Sequence, residues 1–102
     1  MEIKGQIVEV TEGGNLKIKI DSPYFSAGVK YNFPEKSIGI GINEGIVEEA
    51  IIRECLIFVE YGKNIYCIAP SEILRIVRDY KSKEIQGSVT LYVIPIKALK
   101  PL

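Results

Sequence analysis

The alternation of apolar and polar residues predicts a β-hairpin near the start of the chain. Residues 8–20, VEVTEGGNLKIKI, place an apolar side chain at every second position on both sides of a glycine pair. A three-residue loop over residues 12–14 sets Glu9 opposite Lys17 on one face and leaves the other face apolar. A two-residue Gly-Gly loop would set Glu9 opposite Ile18 instead, so we predict the first register.

Two shorter alternating runs follow and predict two more strands. Residues 29–33 alternate apolar and polar side chains and stop at Pro34, which predicts a short strand. Residues 38–42 alternate isoleucine with glycine, which predicts a strand with one nearly bare face. Asn43 is a good N-cap, and the apolar stripe within residues 46–51 predicts that a helix follows.

The second half of the chain predicts another hairpin, a helix and a strand. Residues 55–69, CLIFVEYGKNIYCIA, predict a hairpin with a two-residue turn that begins at Gly62. Both faces of its strands are apolar, so we expect it to lie centrally in a sheet that is covered on both sides. The spacing in residues 72–82 predicts a helix with Leu74 on its buried face, and residues 89–94 predict a last strand.

Together these elements predict a single α+β domain over residues 1–102, in the order β-β-β-β-α-β-β-α-β. We expect a mostly antiparallel sheet of about five to seven strands with two helices. A chain of 102 residues, of which 47% are hydrophobic, has the size and composition of one ordinary globular domain.

The distribution of apolar residues also bears on location. No apolar run approaches the roughly 20 residues that span a bilayer, so we expect no membrane partner. The start of the chain, MEIKGQIVEV, does not have the pattern of a signal peptide, and we expect a cytoplasmic protein, or one of the host cytoplasm if the source is viral. The eighteen isoleucines, with frequent lysine and glutamate, suggest a heat-adapted source, archaeal or viral.

The chain contains no histidine and only two cysteines, Cys55 and Cys67. This composition excludes zinc sites built on histidine and catalysis by a histidine general base. We therefore expect no catalytic residue, no metal site and no cofactor. In the predicted hairpin, Cys67 pairs with Phe58 and points away from Cys55, which argues against a disulfide.

The formal net charge is zero, but the charges are unevenly distributed. Residues 44–60 carry five glutamates against Arg53, a balance of −4, whereas residues 61–102 carry seven basic residues against three acidic ones, a balance of +4. Opposed charges of this kind favour self-association or leave one basic face for a partner. The last strand as an exposed edge and an isoleucine content too large for one small core point the same way. We therefore expect a small non-enzymatic binding or assembly protein that forms a homodimer.

A nucleic-acid-binding module is the first alternative. Basic and aromatic residues interleave between residues 17 and 36, and a sheet face that carries both can hold phosphates and stack bases. The predicted second helix adds further basic residues. The candidate contacts are Lys17, Lys19, Lys30, Tyr31, Arg78 and Lys81.

A nucleotide-binding or nuclease-like enzyme is the second alternative. Gly39, Gly41 and Gly45 precede the predicted helix as G-x-G-x-x-x-G, one residue longer than the dinucleotide fingerprint. The glutamates at the start of that helix repel a phosphate, so we favour close packing of the chain itself, or of a second subunit, over the glycines.

The nuclease alternative rests on the order of the predicted elements. The order helix, two strands, helix, strand over residues 44–94 resembles the core of restriction-endonuclease-like proteins. The chain lacks their D…E-x-K motif in the right order, since the E-x-K at residues 2–4 precedes every aspartate.

Overall fold

Three α-helices and ten strands in three sheets make up the fold in the computed structural model, which describes residues 1–102. The strands are β1 (Glu2–Ile3), β2 (Gln6–Ile7), β3 (Glu9–Val10), β4 (Leu16–Ile20), β5 (Gly39–Asn43), β6 (Ile57–Tyr61), β7 (Asn64–Ile68), β8 (Lys83–Gln86), β9 (Val89–Pro95) and β10 (Lys100–Pro101). The helices are α1 (Ala27–Lys30), α2 (Glu44–Arg53) and α3 (Pro70–Tyr80), and two 3-10 turns span Pro34–Lys36 and Ile96–Ala98. The prediction of a mostly antiparallel α+β fold is confirmed, with one helix and several short strands more than predicted.

The largest sheet has five strands in the order β10-β7-β6-β4-β3. Its first hairpin has the predicted register, with Glu9 opposite Lys17. Its second hairpin closes through a two-residue turn between Tyr61 and Asn64, where Gly62 has a φ of +63° that favours glycine. The two hairpins join through the parallel pair β4 and β6, the only parallel pair in the fold.

The second sheet has three strands in the order β5-β9-β8, and β1 and β2 form a separate two-stranded sheet. The isoleucine and glycine strand, β5, is confirmed. The prediction that the last long strand is an exposed edge is wrong, because β9 lies between β5 and β8. The edge is β8, whose four residues, KEIQ, are too few and too polar to signal a strand by pattern.

The strand predicted over residues 29–33 is also wrong, because this segment begins in the short helix α1 and continues as a loop. The chain folds back on itself here, and a Cβ on Gly28 would lie 2.3 Å from the backbone of Lys36. The apparent alternation therefore has no common face: Phe33 is buried, whereas Val29 is largely exposed.

The main core lies where the two larger sheets meet α2 and α3. Its fully buried side chains include Leu16, Ile18, Ile40, Ile42, Ile46, Ile57, Ile73 and Ile94. The hairpin of β6 and β7 is central, as predicted, but only one of its faces is covered. Phe58 on the other face is half-buried and Ile65 is exposed. None of the helices combines the length and the apolar character that crossing a bilayer demands.

Candidate functional site

The glycine face of β5 is covered by the protein's own chain. A Cβ on Gly39 would lie 2.6 Å from the Cβ of Ala27, and one on Gly41 would lie 3.0 Å from the ring of Tyr24. The backbone of Tyr24 also exchanges two hydrogen bonds with Gly39, of 2.7 and 2.9 Å. Because Gly39 and Gly41 have no side chains, the segment that leads into α1 packs directly against β5.

The start of α2 is capped by a side chain, as predicted. The Gly45 N–H donates to Asn43 Oδ1 at 2.9 Å, and Asn43 Nδ2 donates to the carbonyl oxygens of Ile3 and Lys4 at 3.2 Å each. A Cβ on Gly45 would lie 2.7 Å from Ile3 Cγ2. The third glycine of the motif thus lies against the first strand, with its amide already bonded.

Lys30 and Tyr31 lie together, but they bind a residue of the same chain. Both donate hydrogen bonds to Glu84 Oε1 on the edge strand β8. Gln86 Nε2 donates to Glu84 Oε2 at 3.0 Å and to the Tyr24 hydroxyl at 3.1 Å. The hydrogen bonds from Lys30 and then Tyr31 lower the pKa of Glu84, while burial, more than any other cause, raises the pKa of Tyr31. This cluster fastens α1 and its preceding loop to β8.

Lys17 and Lys19 lie on the uncovered face of the five-stranded sheet, which we call the sheet face. Cross-strand pairing places five side chains in one row on it: Glu9, Lys17, Phe58, Cys67 and Lys100. Lys17 Nζ lies 3.4 Å from Glu9 Oε2 and 3.6 Å from Glu60 Oε1. The positive charge of Lys17 is therefore largely neutralised by carboxylates on the same face.

Arg78 and Lys81 belong to a third region, at the end of α3. Arg78 Nε lies 3.3 Å from Asp79 Oδ1, and Arg75 Nη1 lies 3.1 Å from Asp79 Oδ2. The six residues predicted to bind nucleic acid therefore lie on three different elements of structure: a sheet face, a helix–strand cluster and a helix end. No group of three or more cysteine, aspartate and glutamate side chains is placed to hold a metal ion.

The surface carries an apolar groove that the sequence pattern did not reveal. A groove of about 500 Å³ runs between the end of α2 and the start of α3. Its apolar lining includes Ile51, Leu56 and Leu74, which are 47%, 39% and 39% exposed, and the half-buried Cys55. We call this feature the helix groove. Ile52, 76% exposed, adjoins it in sequence.

The helix groove corrects two predictions about buried helix faces. The spacing of Leu74 predicts a core position, but Ile73 and Ile76 occupy the buried face of α3 and Leu74 points outward. In α2, Ile46, Val47 and Ala50 fill the buried face, so that Ile51 lies outside it. Both helices carry more apolar residues than one buried face accommodates. Two of the remaining apolar side chains, Ile51 and Leu74, lie where the end of α2 meets the start of α3.

The two sides of the helix groove differ in charge. Residues 44–54 carry four glutamates against Arg53, a balance of −3, and Arg53 is bonded to Glu49 at 3.2 Å. Residues 70–81 carry three basic residues against two acidic ones, a balance of +1. The groove thus separates an acidic helix from a weakly basic one.

Comparisons with protein-family models, with curated proteins and with solved structures find no significant match to this chain.

Proposed function

We propose that this chain is a small non-enzymatic binding or assembly protein that forms a homodimer through the helix groove. The observation that carries the proposal is the cluster of exposed aliphatic side chains, Ile51, Leu56 and Leu74, around one groove. Single exposed apolar residues are ordinary, whereas a contiguous apolar patch with a polar rim is typical of an interaction site.

The charges favour a second copy as the occupant. A two-fold axis at the groove sets α2 of one protomer against α3 of its partner, and the same contact repeats on the other side of the axis. Each acidic α2 then faces the basic side chains of an α3, where the Arg78 side chain is 75% exposed and that of Arg75 is 49% exposed. A stable dimer buries roughly 600–1,000 Å² per protomer. That is a small part of the 6057 Å² surface of this chain.

The test is sedimentation equilibrium on the wild type and on Leu74→Asp. At micromolar concentration we expect the wild type to dimerise through the groove and Leu74→Asp to stay monomeric, since a carboxylate in the groove loses its hydration water on association. The matched control is Ile7→Asp, which replaces an exposed isoleucine outside the groove and should leave the dimer intact. Circular dichroism shows whether both variants are folded. A wild type that remains monomeric at millimolar concentration would overturn the proposal.

Binding of a single-stranded nucleic acid is the second candidate, and the sheet face supports it. Phe58 lies there, half-buried, beside Lys17 in the neighbouring strand, and a ring on an open sheet is a platform for a base. Lys19, in the next row, adds a charge that forms no ion pair within the protein. Fluorescence anisotropy with a labelled oligonucleotide at low salt tests this. Binding that survives Phe58→Ala together with Lys19→Gln would dismiss the sheet face.

A further inference from the structure

We propose that β8 pairs with β8 of a second copy, so that the two three-stranded sheets join into one six-stranded sheet across a two-fold axis. This contact is separate from the helix groove, and it uses backbone groups rather than an apolar patch. The pairing requires unbonded backbone groups on β8, a register that its side chains permit, and a strand that is held in position.

The hydrogen-bond ladder between β8 and β9 shows which backbone N–H and C=O groups of β8 have no partner. The Val93 N–H donates to the Ser82 carbonyl at 2.9 Å, which makes this a hydrogen-bonded pair. Bonded and non-bonded pairs alternate in an antiparallel ladder, so Glu84 and Gln86 bond β9 as well. The N–H and C=O groups of Lys83 and Ile85 therefore point away from β9, and no strand lies on that side.

The side chains select one register for pairing with a second copy. Two registers bring the outward groups of both strands together, one centred on Glu84 and one centred on Ile85. The first sets Glu84 directly opposite Glu84 of the second copy, where like charges repel. The second sets Ile85 opposite Ile85 of the second copy and Glu84 opposite Gln86, which is an apolar pair flanked by polar ones.

The exposure of Ile85 supports the second register. Its side chain is 75% exposed and lies on the core-facing side of the sheet, next to Thr90 of β9. Short length and charged side chains protect natural edge strands, and β8 has both, but its Ile85 is an exposed aliphatic side chain in the middle of the edge. Pairing in this register covers Ile85 with its own copy.

The edge is also held in place before any partner arrives. Lys30 and Tyr31 bind Glu84, and Tyr24 binds Gln86, so the segment around α1 fixes the strand from the other face. The same segment carries Phe25 and Val29, both largely exposed, close in sequence to these contacts. A preorganised edge lowers the entropy cost of adding a strand.

Hydrogen exchange on the wild type tests the pairing directly. We expect the amides of Lys83 and Ile85 to exchange roughly tenfold more slowly at millimolar than at micromolar protein concentration, because pairing gives them acceptors. The amide of Glu84 already bonds β9 and is the internal reference. Equal exchange of the Lys83 and Ile85 amides at both concentrations would overturn the proposal.

A variant then separates this contact from the helix groove. Ile85→Pro removes an N–H that has no partner within the protomer, so the ladder to β9 remains while the edge is blocked. We expect Ile85→Pro to lose this contact and Leu74→Asp to keep the slow exchange at residues 83 and 85. Loss of slow exchange in Leu74→Asp with no loss in a folded Ile85→Pro would contradict the edge contact. If Leu74→Asp associates as the wild type does, the dimer through the helix groove is contradicted and the β8 contact is not.

Discussion

Tyr31 at the end of α1 donates a hydrogen bond to Glu84 on the edge strand, across 53 positions of sequence. Lys30 donates to the same carboxylate oxygen, so one glutamate joins the α1 segment to β8. The contact explains two features that the sequence did not indicate, a helix where alternation predicted a strand and a strand where no pattern was evident. It also makes the stability of this corner dependent on pH.

Glu84→Gln should lower the free energy of unfolding by about 1 kcal/mol at neutral pH, allowing for solvent screening. Hydrogen bonds from Lys30 and Tyr31 hold the pKa of Glu84 below its ordinary value of 4.5. A carboxyl with a depressed pKa in the folded state stabilises the protein above its unfolded pKa and loses this effect as the pH falls through the folded pKa. Urea titrations should therefore show the two proteins differing at pH 7 and converging as the pH falls below 4.5 and through the lowered pKa of Glu84. A difference that stays constant down to pH 2 would show that the charge of Glu84 contributes nothing.

Gly41→Val should destabilise the fold by about 1–3 kcal/mol through overpacking. Even the first added carbon would lie 3.0 Å from the Tyr24 ring and 3.2 Å from Leu91 Cδ1. Thermal unfolding measures the effect. The control is Gly13→Ala, whose Cβ meets only an ordinary contact of 3.6 Å to Asn15, and it should leave the melting temperature nearly unchanged. A Gly41→Val protein as stable as the wild type would show that Tyr24 does not hold its position over β5.

Asn43→Ala should cost about 2–3 kcal/mol, because a buried cap and two further hydrogen bonds disappear together. Asn43 is 1% exposed and joins the amide of Gly45 to the carbonyls of Ile3 and Lys4. Chemical denaturation gives the size of the loss.

Asn43→Asp is the matched control for this cap. It keeps the oxygen that caps α2 but sets a carboxylate against two carbonyl oxygens. Relative to the wild type, we expect Asn43→Asp to lose more stability at pH 7 than at pH 3, since protonation restores one donor. An equal loss at both pH values would mean that the contacts to Ile3 and Lys4 contribute little.

Tyr92→Phe should change the alkaline stability of the protein. The Tyr92 hydroxyl donates to Glu44 Oε2 at 3.0 Å, and burial, more than this bond, raises the pKa of Tyr92 from 10.0 to about 12. A raised tyrosine pKa means that stabilisation is fully present below pH 10 and is lost as the pH rises through 12. We expect the wild type to lose stability over this window relative to Tyr92→Phe. If the difference in unfolding free energy between the two proteins stays constant from pH 9 to pH 12, this prediction is wrong.

The elements that sequence pattern predicted are those specified by neighbouring residues. The turn at Gly62 and the cap at Asn43 depend on residues only a few positions apart, and the structure contains both. The register that pairs Glu9 with Lys17 follows from one local choice, because the alternative would bury a charge.

The elements that pattern missed are specified by distant contacts. β8 is a strand because β9 pairs with it, and α1 forms where the chain turns back from Phe33 to reach the glycines of β5. The candidate nucleic-acid residues were grouped by closeness in sequence, but the fold distributes them over separate elements. Leu74 has the spacing of a core residue, and only the packing of its neighbours decides that it faces outward.

The parallel contact between β4 and β6 has a consequence for the order of folding. Leu16 and Ile57 are partners that stand 41 positions apart, so this pair closes a large loop before it gains any contact. During synthesis, the first hairpin is complete long before β6 emerges, and one side of β4 then has no neighbouring strand. A nascent chain that has not reached residue 61 exposes this side together with the apolar row of β4. That stage of translation is when this protein most needs protection from association with other nascent chains.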